Sequence, residues 1–269
     1  MKKLLLLFAL FAGFIPSLQA QRGFEVSLQG APSAVFIVNQ NNYETLDGCA
    51  VISRSELDYT SKWGYSMGGS LGYNVKKNWG IYTGIRYVRT GQNYEDTFNP
   101  GTQFCASPYH VVRTVDLRYV RVPLLFRYKF PFKNNPKFKL YASVGPYIGF
   151  LLKASEEVTI NDNVRTDLTP TKEKFNKRDV GMSVGVGGEY HITRGFFLSL
   201  GLVVDYGFTD MNGVAVKDLE WFSKNDVGYK RSNNFNTGVN VGIHFVFGGT
   251  TNPFEEKKGD EEPPKDVAK

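Results

Sequence analysis

Six charged residues stand on one parity of strand-like segments: Glu25, Arg86, Arg121, Arg127, Glu189 and Asp205. Two of them lie in YVRVPLLFRYKF, residues 119–130, an apolar run that also carries Pro123 and Lys129. Cations in such a run could bind an anion, pass protons along a path, or neutralise carboxylates. The parity that sends Val120, Val122, Leu124, Phe126 and Tyr128 to one side puts Tyr119, Arg121, Pro123, Leu125, Arg127 and Lys129 on the other. A charge turned from that second side to hydrocarbon would cost roughly 2–4 kcal/mol, so the six residues are expected to form a register-fixing network rather than a ligand or proton path. A proline cannot donate to a ladder, so a bulge or a water on the inner side is expected at Pro123.

Other chemistry finds little support. The three histidines, His110, His191 and His244, are scattered, and none falls on the lipid-facing parity beside a serine and a carboxylate. No pair of them has metal-ligand spacing. Hence no catalytic residue, no metal site and no cofactor is expected. Cys49 and Cys105 lie in two neighbouring long connections and are expected to form a disulfide between them if the chain is exported.

The elements that would hold these residues repeat every second position. In FFLSLGLVVDYGFTD, residues 196–210, Phe196, Leu198, Leu200, Leu202, Val204, Tyr206 and Phe208 oppose Phe197, Ser199, Gly201, Val203, Asp205, Gly207 and Thr209. The same division recurs at 136–153, 178–191 and 235–247, and more weakly at 23–38, 63–75 and 79–89; with 117–130 there are eight segments. Alternation is equally the sign of a soluble sandwich, so three further features decide. Most segments reach the nine to eleven residues of a tilted membrane-spanning strand. Aromatics flank the apolar faces, among them Trp63, Trp79, Tyr128, Tyr190, Phe208 and Phe247. The connections alternate, short at 76–78, 131–135 and 192–195 and long at roughly 39–62, 90–116, 154–177 and 210–232. The expected fold is therefore all-β, an eight-stranded antiparallel up-and-down transmembrane β-barrel. Glycines such as Gly72, Gly181, Gly187 and Gly201 share the inner parity with Tyr82, Tyr141 and Tyr147, which implies a packed polar lumen rather than a pore.

The ends read differently. MKKLLLLFALFAGFIPSLQA, residues 1–20, has the layout of a secretory signal peptide, and after it no apolar run is long enough for a membrane helix. Without Lys2 and Lys3 the 32 Lys+Arg become 30 against 26 Asp+Glu, a mild +4 that gives no argument for nucleic acid. Residues 21–248 are the expected barrel, and 249–269, with mixed charge and Pro-Pro, a disordered periplasmic tail.

YVRVPLLFRYKF resembles the tyrosine–x–acidic–x–Pro–Leu–Leu–x–Lys–Tyr strand of the PorT-like outer-membrane β-barrel family of Bacteroidetes, through Tyr119, Arg121, Pro123, Leu124, Leu125, Arg127 and Tyr128. Arg121 replaces the acidic residue, which implies an inverted charge pairing. The last strand is similar to the signal by which barrel-assembly machinery recognises its clients, through Asn240, Gly242, Phe245 and Phe247, although a tail follows it. The alternation of three short turns with four long loops over eight strands implies a multi-pass outer-membrane protein with both termini in the periplasm. Its expected role is structural or interactive, in one relative within a secretion apparatus. Its expected partners are outer-membrane lipid and lipopolysaccharide, the assembly machinery, and an envelope protein reached through loops or tail. Loop aromatics, Tyr94, Phe98, Tyr109, Trp221, Phe222 and Tyr229, would offer a recognition surface. A small-solute channel or a lipid-modifying enzyme are the alternatives.

Overall fold

The computed structural model describes residues 23–39, 58–60, 62–76, 78–98, 109–132, 135, 137–161, 163–165, 172–193, 195–213 and 229–247. The segments 1–20 and 249–269, Cys49, Cys105, Trp221 and Phe222 lie outside them, and with them the leader, the tail and the disulfide.

Eight long strands form the wall: β1 (Phe24–Val38), β3 (Lys62–Lys76), β4 (Trp79–Phe98), β5 (Tyr109–Pro131), β6 (Phe138–Ile160), β8 (Arg178–His191), β9 (Phe196–Gly207) and β10 (Asn233–Phe247). Two three-residue strands, β2 (Asp58–Thr60) and β7 (Asn163–Arg165), pair with the far ends of β4 and β6. Each wall strand is antiparallel to its sequence neighbours, and β1 pairs with β10 from Phe24↔Phe247 to Val38↔Asn233, so the sheet closes on itself. Closure leaves the eight-stranded wall without an open edge, which an open sheet in hydrocarbon could not do.

The alternation becomes an inside-out burial pattern. Leu28, Trp63, Leu71, Ile85, Leu200, Leu202 and Val241 are exposed on the outer wall, Trp63 at 76 %, while the charged inner residues Glu25, Arg121, Arg127, Lys129, Asp179, Glu189 and Asp205 are buried. That arrangement is stable only where the outside solvent is apolar. Aromatic residues girdle the wall twice. At the end with the short turns, Phe24–Tyr73, Trp79–Tyr128, Phe132–Phe138 and Phe196–Phe245 pack with centroids 4.9 to 5.5 Å apart. Toward the other end Tyr65–Tyr87 and Tyr206–Phe208 lie 6.1 and 5.6 Å apart.

Strands β4, β5 and β6 run well beyond the apolar band, through much of what the sequence reads as the 90–116 and 154–177 loops. Their extra length pairs from Thr90↔Leu117 to Phe98↔Tyr109 and from Leu117↔Ala154 to Val111↔Ile160. Out there the outward positions are mostly polar, among them Asn93, Glu95, Thr114, Ser155 and Glu157, so no apolar face marks the strand. Tyr94 correspondingly leaves the proposed loop surface: it is buried inside the barrel.

Pro123 is accommodated without a bulge at its own position. On the β4 side the ladder is interrupted between Thr83↔Leu124 and Arg86↔Arg121, and the Thr83 hydroxyl donates to the Pro123 carbonyl at 2.9 Å. On the β6 side it is interrupted between Pro123↔Tyr147 and Phe126↔Val144, beside Pro146. The only register shift between β5 and β6 among the described residues lies at Arg118/Tyr119.

Candidate functional site

The lumen is the candidate site, and it is built in layers. The layer nearest the short turns begins with Glu25 on β1 and Glu189 on β8, both without exposed side-chain surface to speak of. Two cations from β5 sit between them. Lys129 Nζ lies 3.0 Å from Glu25 and 3.3 Å from Glu189, and an Arg127 guanidinium nitrogen lies 3.6 and 3.5 Å from the same two carboxylates. Successive inward positions of one strand thus neutralise carboxylates from two others. The Arg127 guanidinium is also flanked by the rings of Tyr82 and Tyr141, 4.3 and 4.7 Å to their centroids.

Those tyrosines need glycines. A side chain at Gly72 or Gly80 would fall on the Tyr82 ring, and one at Gly201 would come within 2.5 Å of the Tyr141 hydroxyl. Gly187 and Gly201 face each other across β8 and β9, with Tyr141 opposite Gly187 on β6. Large rings from one strand fill what small residues of the next leave open, and the interior closes.

The same layer contains a chain of hydrogen bonds from Ser199 through His244 to Glu25: Ser199 Oγ to Nε2 is 2.8 Å and Nδ1 to Glu25 Oε1 is 2.8 Å. The order of groups is that of a hydrolytic triad. Its surroundings are not. The imidazole is fully buried and stacked on Phe197 at 4.3 Å, and Glu25 is already claimed by Lys129. The Gly242 Cα, where a side chain would meet both Ser199 and His244, leaves too little room for an acyl group. We therefore expect no labelling of Ser199 by a fluorophosphonate probe on the folded barrel; label that disappears in Ser199→Ala would contradict this.

The middle layer centres on Arg121, whose side chain is 0 % exposed. It donates to Asp179 at 2.9 Å and Asp205 at 3.2 Å, while Arg86 approaches Asp205 at 3.5 Å. The ring of Tyr147 lies 4.5 Å from the guanidinium carbon, and the Tyr147 hydroxyl donates to Asp179 at 3.3 Å. Two carboxylates and two guanidiniums from β4, β5, β8 and β9 so cross the full width of the lumen.

Above it the lumen turns apolar. Ile37, Tyr94, Val115, Leu117, Tyr119, Leu151, Phe175 and Met211 form one buried cluster. Phe175 and Met211 enter it from the connections after β7 and β9, where Phe175 bridges to Asn212. At the rim, beyond the apolar band, the Arg113 side chain donates to Glu156 at 2.6 Å and Lys174 donates to it at 3.1 Å. Burial alone would raise the Glu156 carboxyl, but Arg113 and Lys174 outweigh it and hold it below the usual carboxylate range. A carboxyl so depressed adds stability that is complete above its unfolded value and fades as the pH falls through the folded one. Hydrogen exchange in residues 154–160 should therefore speed up on acidification below the ordinary glutamate range, and Glu156→Gln should remove that step.

All six sequence-selected residues meet in the lumen, in two separate layers: Glu25, Arg127 and Glu189 in one, Arg86, Arg121 and Asp205 in the other. Three further members are Lys129, Asp179 and His244. Each has the inner parity, so the signal was present; Asp179 was simply not paired with a cation. On β10, Asn240 donates to Gln29 at 3.2 Å, Gly242 lies beneath Ser199, and Phe245 and Phe247 are exposed on the outer wall.

The profile of the outer membrane protein beta-barrel domain matches residues 19–213 of the 269. Among solved structures, Neisserial surface protein A is 13 % identical, with a TM-score of 0.43, over 83 % of this chain and 97 % of its own. A major outer membrane protein from Thermus thermophilus is 13 % identical, TM-score 0.42, over 85 % and 100 %. The outer membrane protein OprG from Pseudomonas aeruginosa is 11 % identical, TM-score 0.39, over 85 % and 97 %. No curated protein matches the sequence. At these TM-scores the strand count and closure rest on the ladder of the chain itself.

Proposed function

We propose, from the premise that this chain belongs to the outer membrane protein β-barrel domain family, that it is a non-conducting, non-enzymatic barrel whose work is contact with other envelope components. The observation that carries this is the filled lumen: two charge layers and an apolar cluster lie across it in series. A cavity between the two charge layers, beside Gln29, Tyr82 and Arg127, is only about 30 Å³, room for water and not for a solute. With nothing passing through or reacting inside, the surfaces left for function are the rim and the wall.

Both barrel ends, Phe24 and Phe247, lie at the short-turn rim. In our reading that rim is periplasmic, with a cleaved leader before it and a tail after it, and Asn240, Gly242, Phe245 and Phe247 serve assembly. The prolonged β4, β5 and β6 then stand outside the cell as the contact surface for an envelope protein. Their Glu95 and Glu157, exposed beyond the apolar band, are suitable places for a photo-crosslinker. The resemblance of YVRVPLLFRYKF to the PorT-like strand favours a partner in a secretion assembly. Crosslinking in intact cells should give a discrete adduct with one envelope protein; adducts with none, at either position, would overturn the partner reading.

A further inference from the structure

Where the apolar wall ends toward the long loops, a row of cations faces outward on four adjacent strands. Arg89 on β4 is the register partner of Arg118 on β5, and Arg118 is the partner of Lys153 on β6. Arg178 on β8 follows, opposite Phe150, one outward row lower. Directly opposed like charges destabilise a sheet, so two such pairs in succession need an anion. The row has one carboxylate of its own. Asp116 takes Arg89 at 2.7 Å and Arg118 at 3.3 Å, and buried Lys62 at 3.6 Å. Lys153 and Arg178 are exposed, and their side-chain charges have no ion-pair partner among the described residues. Another carboxylate on this face, Glu157, stands two outward positions farther from the apolar band than Lys153.

The place of the row matters as much as its charge. Immediately toward the band lie Tyr65, the register partner of Arg89, then Tyr87, Val120, Phe150 and Leu152. Any anion held there has its counterpart in hydrocarbon directly beside it. At β5/β6 the wall is also opened by the register shift at Arg118/Tyr119, where the freed Leu152 carbonyl accepts from Lys172 at 3.3 Å, adding another cation to the same corner.

We propose that this row binds the phosphates of a lipid whose headgroup carries more than one of them. Four strands span three gaps of about 4.8 Å, roughly 14 Å, which is wider than a single phosphate and suits two on one headgroup. Arginines fork onto phosphate oxygens and the lysines add point charges. The proposal rests on the reading that the loop rim lies in the outer leaflet, which trypsin access on intact cells tests separately.

The test is native mass spectrometry of the refolded full-length protein, titrated with diphosphorylated lipid A, the same lipid after dephosphorylation, and phosphatidylglycerol. The diphosphorylated lipid should bind best. With about fivefold per surface cation, Lys153→Gln should weaken it about fivefold and Arg118→Gln/Lys153→Gln/Arg178→Gln about 100-fold, while the dephosphorylated lipid is unaffected. Arg118→Lys/Arg178→Lys should retain most of the binding and shows that loss is not misfolding. Equal binding of the phosphorylated and dephosphorylated lipids would overturn the proposal. So would preference for phosphatidylglycerol, or displacement by millimolar inorganic phosphate, which would make it a site for the free ion.

Discussion

Arg121→Met destabilises the barrel by about 3–5 kcal/mol, because it leaves Asp179 and Asp205 buried without their shared cation. Methionine keeps the unbranched stem and removes the guanidinium, so the loss is chiefly that of charge and of the hydrogen bonds at 2.9 and 3.2 Å. Arg86 still reaches Asp205, but at 3.5 Å and from one side only, and Asp179 has no second cation among the described residues. Adding Asp179→Asn and Asp205→Asn should recover most of the stability, since a buried ion pair removed whole costs far less than one broken. Urea unfolding of the refolded protein in lipid vesicles, followed by tryptophan fluorescence, checks both. Equal stability of wild type and Arg121→Met would mean that water or lipid headgroups reach the two carboxylates, and the layer would no longer be dry.

Gly187→Val should cost at least as much as ordinary overpacking, about 3 kcal/mol, or prevent insertion altogether. Its first added carbon would overlap the Leu200 carbonyl and the Gly201 backbone, and would approach the Tyr141 hydroxyl to 2.8 Å. The backbone of β9 has to move, and Tyr141 has to leave the face of Arg127. Gly188 has a similar sequence setting, but its added carbon would meet the Phe138 ring at 2.9 Å and otherwise mostly open space. Gly188→Ala is therefore the control, and should insert with a small loss. Heat-modifiable migration of the folded band in gels separates the outcomes; wild-type folding of Gly187→Val would show that the lumen has slack.

The wall was legible in the sequence because two solvents acted on alternate residues. Wherever hydrocarbon faced one side, as from Val120 to Tyr128, the apolar parity marked the strand and its phase, and the inward charges followed from the phase. Where water wets the outer face the signal fades: past Arg89 and Arg118 the strands continue, but Asn93, Glu95, Thr114 and Ser155 read as loop. The apolar cluster was hidden for the same reason, since Tyr94 and Val115 fell in the supposed loop and Phe175 and Met211 reach it from segments with no period at all. Pairing within the lumen was partly legible. Parity puts a residue inside, but the depth at which it meets a partner depends on strand stagger, which gave Arg121 to Asp179 as well as Asp205. The hydrogen-bond chain from Ser199 to Glu25 joins three strands that meet only when the barrel closes, so no local spacing announced it.

The closed lumen is the claim on which the functional reading stands. Purified protein, refolded and added to a planar lipid bilayer under applied voltage, should give no steady single-channel current, because ions would have to cross the layers around Lys129 and Arg121 and the apolar cluster above them. A stable conductance carried by the folded barrel would contradict the account and make the lumen a path.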